Sequence, residues 1–143
     1  MGKRKKRNLK KTVAIIGEGI TELKYFESLK KHENISNIKL KPELPKHPDI
    51  NSIIKKANKS LQNGFDTVFC IIDLDRIFSN STEEQNYYRF KKEYPKIEFI
   101  ENNPCFEIWF LLHYEYSSRE YNSCNQLISK LKKHIPDYEK TKK

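Results

Sequence analysis

Two rhythms of hydrophobic and polar positions alternate along this chain, one of period two or continuous, the other of period near 3.6. Residues 12–17 (TVAIIG) are apolar and β-branched, follow polar residues directly, and predict a buried first strand. Residues 20–32 then place Leu23, Phe26 and Leu29 at helical spacing, with Thr21 positioned to cap the start. Residues 35–43 (ISNIKLKPE) alternate and predict a second, less buried strand, followed by the proline-marked loop LPKHPD. Asp49 caps a helix reaching about residue 63, with Ile53, Ile54, Ala57 and Leu61 facing inward and Gly64 ending it.

The strongest strand signal is 67–72 (TVFCII), a continuous apolar run of the kind buried on both faces of a parallel sheet, and it terminates in Asp73. A Ser- and Asn-rich loop at 79–82 precedes a tyrosine-bearing helix over about 83–94. Residues 96–101 (KIEFIE) alternate as a further strand. Asn103, as N-cap, with Pro104 at the favoured first position predicts a helix through about residue 114. On that helix Phe106, Trp109, Phe110 and His113 form one apolar face, which makes His113 a core histidine. A last amphipathic helix covers roughly 123–134. Strand and helix in strict alternation predict an α/β fold, a three-layer sandwich around a mostly parallel central sheet with right-handed crossovers.

At 143 residues the chain has room for one domain, here 12–138, between a basic flexible arm at 1–11 and a basic tail at 139–143. Hydrophobic residues make up 36% against 33% charged, which predicts a modest core under a very polar surface, while 12% aromatics is too rich for a disordered chain. No apolar run approaches the ~18 residues of a membrane span, and no apolar segment follows the basic N-terminus as in a signal peptide. The three cysteines are odd in number and far apart, with no CxxC pair, so neither a zinc ribbon nor a redox motif is expected. Cys70 reads as a small buried hydrophobe, and a cytoplasmic location fits.

The net charge of +9 is concentrated at the ends. Lys3, Arg4, Lys5, Lys6, Arg7, Lys10 and Lys11 supply seven cations and no acid stands among them, while the body between the two basic ends is slightly acidic. Such ends either grip nucleic-acid phosphates or act as solubilising arms, and only chemistry in the body separates the two. That chemistry is acidic. Glu18 falls in the turn after the first strand between Gly17 and Gly19, two of only four glycines, which allow positive φ and close approach of a ligand. Glu22 lies one turn into the next helix. Asp73 and Asp75 follow the central strand and, in an extended segment, point the same way.

Ligand sites in such sheets lie outside the carboxyl ends of strands, near a switch in strand order. Four carboxylates converging there repel one another and call for a hard divalent cation, Mg²⁺ or Mn²⁺, which polarises a phosphodiester and activates water. A DxD at a strand end alone more often serves as a turn and helix cap, and Glu-x-x-x-Glu alone as a solvated helix face; the two together, each at the end of a buried strand, favour the metal site. GEGITE lacks the third glycine of a dinucleotide fingerprint, and no GK[ST] follows it. The adjacent acid pair of receiver domains is missing, and a sugar-nucleotide transferase would leave the glutamate turn unexplained.

A glutamate in a glycine-flanked turn after strand one, with DxD after strand three, resembles the Toprim domain of topoisomerases, primases and OLD-family nucleases. More closely, EGITE, IIDLDR and NNPCFEIWFLLHY together are similar to the RloB family, Toprim-like proteins of bacterial restriction and phage-defence loci, over about residues 12–138. The resemblance implies Glu18 as general acid/base and metal ligand, Asp73 and Asp75 as metal ligands, Glu22 as a helper, and Glu107 as a motif residue of unassigned role. It implies a Mg²⁺- or Mn²⁺-dependent nuclease acting on DNA or RNA in antiphage defence, with a partner subunit of a defence system. Nucleotidyl transfer and a non-catalytic binding module remain as alternatives. Members of that family run on well past residue 143, so a short or truncated form is expected.

Overall fold

The computed structural model describes residues 11–35, 38–45, 47 and 49–140. Four strands, β1 (Lys11–Ile16), β2 (Ile38–Glu43), β3 (Thr67–Asp73) and β4 (Ile97–Asn102), pair in the order β2-β1-β3-β4, and every pairing is parallel. The helices among the described residues are α1 (Ile20–His32), α2 (Ile50–Gln62), α3 (Leu74–Phe78), α4 (Ser81–Glu93), α5 (Ile108–Leu112) and α6 (Cys124–Leu131). The expected α/β class and parallel sheet are both present.

β3 is apolar from Val68 to Ile72, where helices cover both of its faces. Val68, Cys70 and Ile72 join Ala14 and Ile16 of β1 on one face, against Ile53, Ile54 and Ala57 of α2 and Tyr87 and Phe90 of α4. Ile71 and Phe69 join Val13 and Ile15 on the other, against Tyr25 and Phe26 of α1 and against Phe106 and Phe110. Each isoleucine buried this way stabilises the fold by about 1.5–3 kcal/mol. A third cluster, Leu111, Tyr121, Leu127 and Leu131, packs α6 beside α5.

Helix starts follow the capping residues. Asp49 caps α2, accepting from the Ser52 N–H at 2.9 Å, and Gly64 after the helix adopts φ 87°, both as the sequence predicts. Asn80 caps α4 and Ser123 caps α6. Helix α1 differs: its N-cap is Gly19, without a side-chain cap bond, so Thr21 stands inside the first turn.

Five further expectations are corrected. Lys11 belongs to β1, paired with Ile38, and not to the arm; Lys3, Arg4, Lys5, Lys6, Arg7 and Lys10 lie outside the described residues. Asp73 and Asp75 do not share an extended segment, because the chain turns into α3 at Leu74. Pro104 does not open a helix: the Asn103–Pro104 peptide is cis, a turn follows, and α5 starts only at Ile108. The apolar face read across that region therefore breaks up, with Phe106 buried before the helix, Trp109 exposed on it and His113 exposed just after it. Cys105 and Cys124, far apart in sequence, meet in a disulfide with Cα atoms 5.6 Å apart, leaving Cys70 as the free, buried cysteine.

The strand order fixes where a site can form. β1 leads through α1 to β2 on one side, while β3 leads through α3 and α4 to β4 on the other. The carboxyl ends of β1 and β3 thus flank the switch point of the sheet.

Candidate functional site

Glu18 leaves β1 at that switch point. The two glycines around it supply space and not handedness, since Gly19 is extended at φ −148°. A Cβ on Gly17 would lie 2.8 Å from Glu22 Cβ, so only glycine lets α1 turn back closely enough to bring Glu22 over the sheet end.

Both oxygens of the buried Glu18 carboxylate are engaged. Oε1 accepts from the Asp73 N–H at 3.1 Å and from Arg76 Nη2 at 3.0 Å, and Oε2 accepts from Arg76 Nε at 3.0 Å. The remaining guanidinium nitrogen, Nη1, donates to Glu83 Oε2 at 2.8 Å, an oxygen that also accepts the Ile50 N–H at the start of α2 at 3.0 Å. Arg76 therefore ties the β1 turn to α4 and α2. Sequence reasoning missed it, although it is the arginine of IIDLDR; the signal was that a buried acid cluster requires a cation within reach. Burial pushes the Glu18 carboxyl above its usual range, against the pull of Arg76 and the Asp73 N–H.

Asp73, the last residue of β3, is 4% exposed. Its Oδ1 is buried with no hydrogen-bond partner, and Oδ2 lies 3.6 Å from Lys140 Nζ. Burial, with the neighbouring Glu18 and Glu22 charges added, pushes its carboxyl up to about 8. Glu22 on α1 is raised to about 7, again first by burial and then by Glu18 and Glu107. Glu107, in the turn before α5, is 1% exposed; it accepts from Tyr138 Oη at 2.9 Å and lies 3.6 Å from Lys140 Nζ. The expected basic tail thus returns a cation to the acids.

The structure gathers Glu18, Glu22, Asp73 and Glu107 at one sheet edge. Asp75 stands beside them on α3, where it is half-buried, accepts the Arg76 N–H at 2.7 Å and contributes to the field on Lys140. Lys140 also lies 3.5 Å from Cys124 Sγ, and Cys124 Sγ lies 3.8 Å from Glu107 Oε2. With its sulfur in the disulfide, Cys124 offers no thiolate there. A surface hollow of about 470 Å³ between α2 and α4, beside Lys55, Lys59, Phe90 and Tyr94, is lined by none of the clustered acids.

This clustering has a pH signature. Glu22 and Asp73 bind protons in the fold with values of about 7 and about 8, against ordinary values of 4.5 and 3.8. Between pH ~4 and ~8 the native state therefore holds more protons than the unfolded chain, and stability falls as pH rises. In chelator, the melting temperature is expected to be lower at pH 8.5 than at pH 5.5. A thermal scan showing no fall across that window would mean the acids are not mutually destabilising.

With this geometry in place, the comparison with known families is decisive: the family model described as RloB-like protein matches residues 13–143. The chain belongs to the RloB-like family. In this RloB-like chain the matched region includes each of the clustered acids, Arg76 and Lys140. No curated protein and no solved structure matches it. Among the described residues, no helix is long and apolar enough to cross a membrane.

Proposed function

We propose that this RloB-like protein is a Toprim-type nuclease that hydrolyses phosphodiester bonds of nucleic acid with Mg²⁺ or Mn²⁺ and serves in bacterial antiphage defence. The observation that carries the reading is the buried Asp73 Oδ1, an acceptor at the switch point with no protein partner, on a carboxylate held beside three other acids. An all-oxygen donor set of this kind suits a hard divalent ion.

Asp73 and Asp75 are the residues that would hold the ion, with Glu18 contributing through the one acceptor position left on Oε2. Bound there, it would supply Lewis-acid polarisation of the phosphodiester and a more acidic water. Glu22, whose carboxyl is raised to about 7, is suited to hold and pass a proton near neutral pH. Arg76 fixes the Glu18 carboxylate in place. Lys140 balances the cluster when no other cation does, and its half-exposed position allows it to withdraw. The basic residues Lys3, Arg4, Lys5, Lys6, Arg7 and Lys10 would add phosphate affinity. A cytoplasmic setting and a partner subunit belong to the same proposal.

A second reading, a non-catalytic nucleic-acid- or protein-binding module, draws on the bidentate Arg76–Glu18 pair, which occupies most of the glutamate's acceptor capacity. Labelled single- and double-stranded DNA and RNA, incubated with Mg²⁺, Mn²⁺ or EDTA, separate the two. Cleavage with either metal and none in EDTA is the expected result. Retained binding with no cleavage under any of these conditions would leave the binding module.

A further inference from the structure

We infer that Trp109 is a stacking platform for an unpaired base, so that the acidic site takes single-stranded nucleic acid and not a closed duplex. This inference rests on the nuclease reading of the site. Its starting point is an anomaly of packing: the single tryptophan of the chain is expected in the core, yet is 42% exposed on α5. Its exposure is not looseness. The indole N–H donates to Asn102 Oδ1 at 2.7 Å, so the ring plane is set by a residue that is itself 2% exposed.

Asn102 ends β4 directly opposite Asp73 at the end of β3 in the parallel ladder. Adjacent strands lie about 4.8 Å apart, which places the anchored edge of the indole at the rim of the acidic cluster. The bond also identifies the Asn102 amide atoms. Only its oxygen can accept from the indole, so its buried Nδ2 is the donor, and that donor has no partner. Beside it, Asp73 Oδ1 is likewise buried and unpartnered. A half-exposed indole, anchored through Asn102 at the rim of the acidic cluster, describes a place for a group that brings its own π-face and polar edge. A nucleobase has both, provided it is not stacked and paired within a duplex. Stacking on tryptophan tolerates every base.

Because Trp109 is the only tryptophan, its emission reports on this site alone. The experiment titrates the full chain, in EDTA to prevent cleavage, with a fluorescein-labelled thymidine strand followed by anisotropy and with the same strand unlabelled followed by tryptophan emission. A hairpin duplex of equal length serves as competitor. Saturable quenching by the single strand, weak competition by the duplex, and a roughly 5- to 150-fold loss of affinity in Trp109→Ala are expected, the loss of one stacked base. Trp109→Phe, which keeps a π-face without the anchoring N–H, should recover part of the affinity. Anisotropy that reports binding while emission stays constant and Trp109→Ala binds normally would overturn the platform and leave the nuclease reading standing. Equal competition by the duplex would overturn the preference for unpaired bases. No binding of either nucleic acid by the folded chain would overturn the nuclease reading, and the platform with it.

Discussion

Replacing Arg76 with methionine is expected to destabilise the fold by about 3–5 kcal/mol, the largest effect of any substitution at the site. Methionine keeps much of the side-chain volume and removes the guanidinium. Glu18 is 8% exposed and loses three things at once: the Nε and Nη2 bonds to its two oxygens, and the charge that balances it. A carboxylate left buried without a cation either remains charged at high cost or takes up a proton. Glu83 loses its partner as well, and with it the brace between α4 and the N-terminus of α2. At about 2–4 °C per kcal/mol for a chain of this size, the melting temperature should fall by roughly 10 °C. Thermal unfolding at pH 7 measures it, and Arg76→Lys should retain part of the loss as a point charge without the bidentate fork. A fall of only 1–2 °C would mean that the pair is surface decoration despite its geometry.

Much of this site is legible in the sequence, for a local reason. Strands buried on both faces are written as unbroken apolar runs, so TVAIIG and TVFCII announce β1 and β3, and the residues directly after them announce the sheet edge. Glu18, Glu22 and Asp73 are found that way. What the sequence conceals is contact between distant segments. Glu107 reaches the cluster through the turn after Pro104, and Lys140 through the segment after α6, and neither path follows from periodicity. The face assigned to Trp109 and His113 fails for a related reason: α5 is only five residues long, too short for a helical repeat to fix which side is inward. There His113 Nε2 meets Tyr25 Oη at 3.2 Å at the surface instead of entering the core. Arg76 was visible as a letter but not as a partner, because its importance depends on how deeply Glu18 is buried.

Asp73→Asn is expected to raise stability and abolish activity together. The substitution is nearly isosteric, removes the charge, and leaves the backbone N–H that donates to Glu18 untouched. In the absence of divalent ions Asp73 adds a charge to a buried cluster, which is why its carboxyl stands at about 8 and not near 3.8. Above pH 8, where that proton is lost, neutralising the side chain should stabilise the fold by about 1–3 kcal/mol, a gain of several degrees in the melting temperature in EDTA. Near pH 4, where the aspartate is already protonated, the gain should vanish. Lys140 sets the limit on the effect, since the variant also loses the pairing of Oδ2 with its ammonium. The same change replaces the anionic carboxylate that the nuclease reading requires with a neutral amide, so any Mg²⁺-dependent rise in melting temperature should disappear and metal-dependent cleavage should fall by at least about a hundredfold. The two halves of the result separate two roles. Stabilisation with loss of activity is the behaviour of a residue kept for function at the expense of the fold. Destabilisation at every pH would instead make Asp73 a structural end to β3, and the acidic edge an ordinary feature of how the sheet turns into α3.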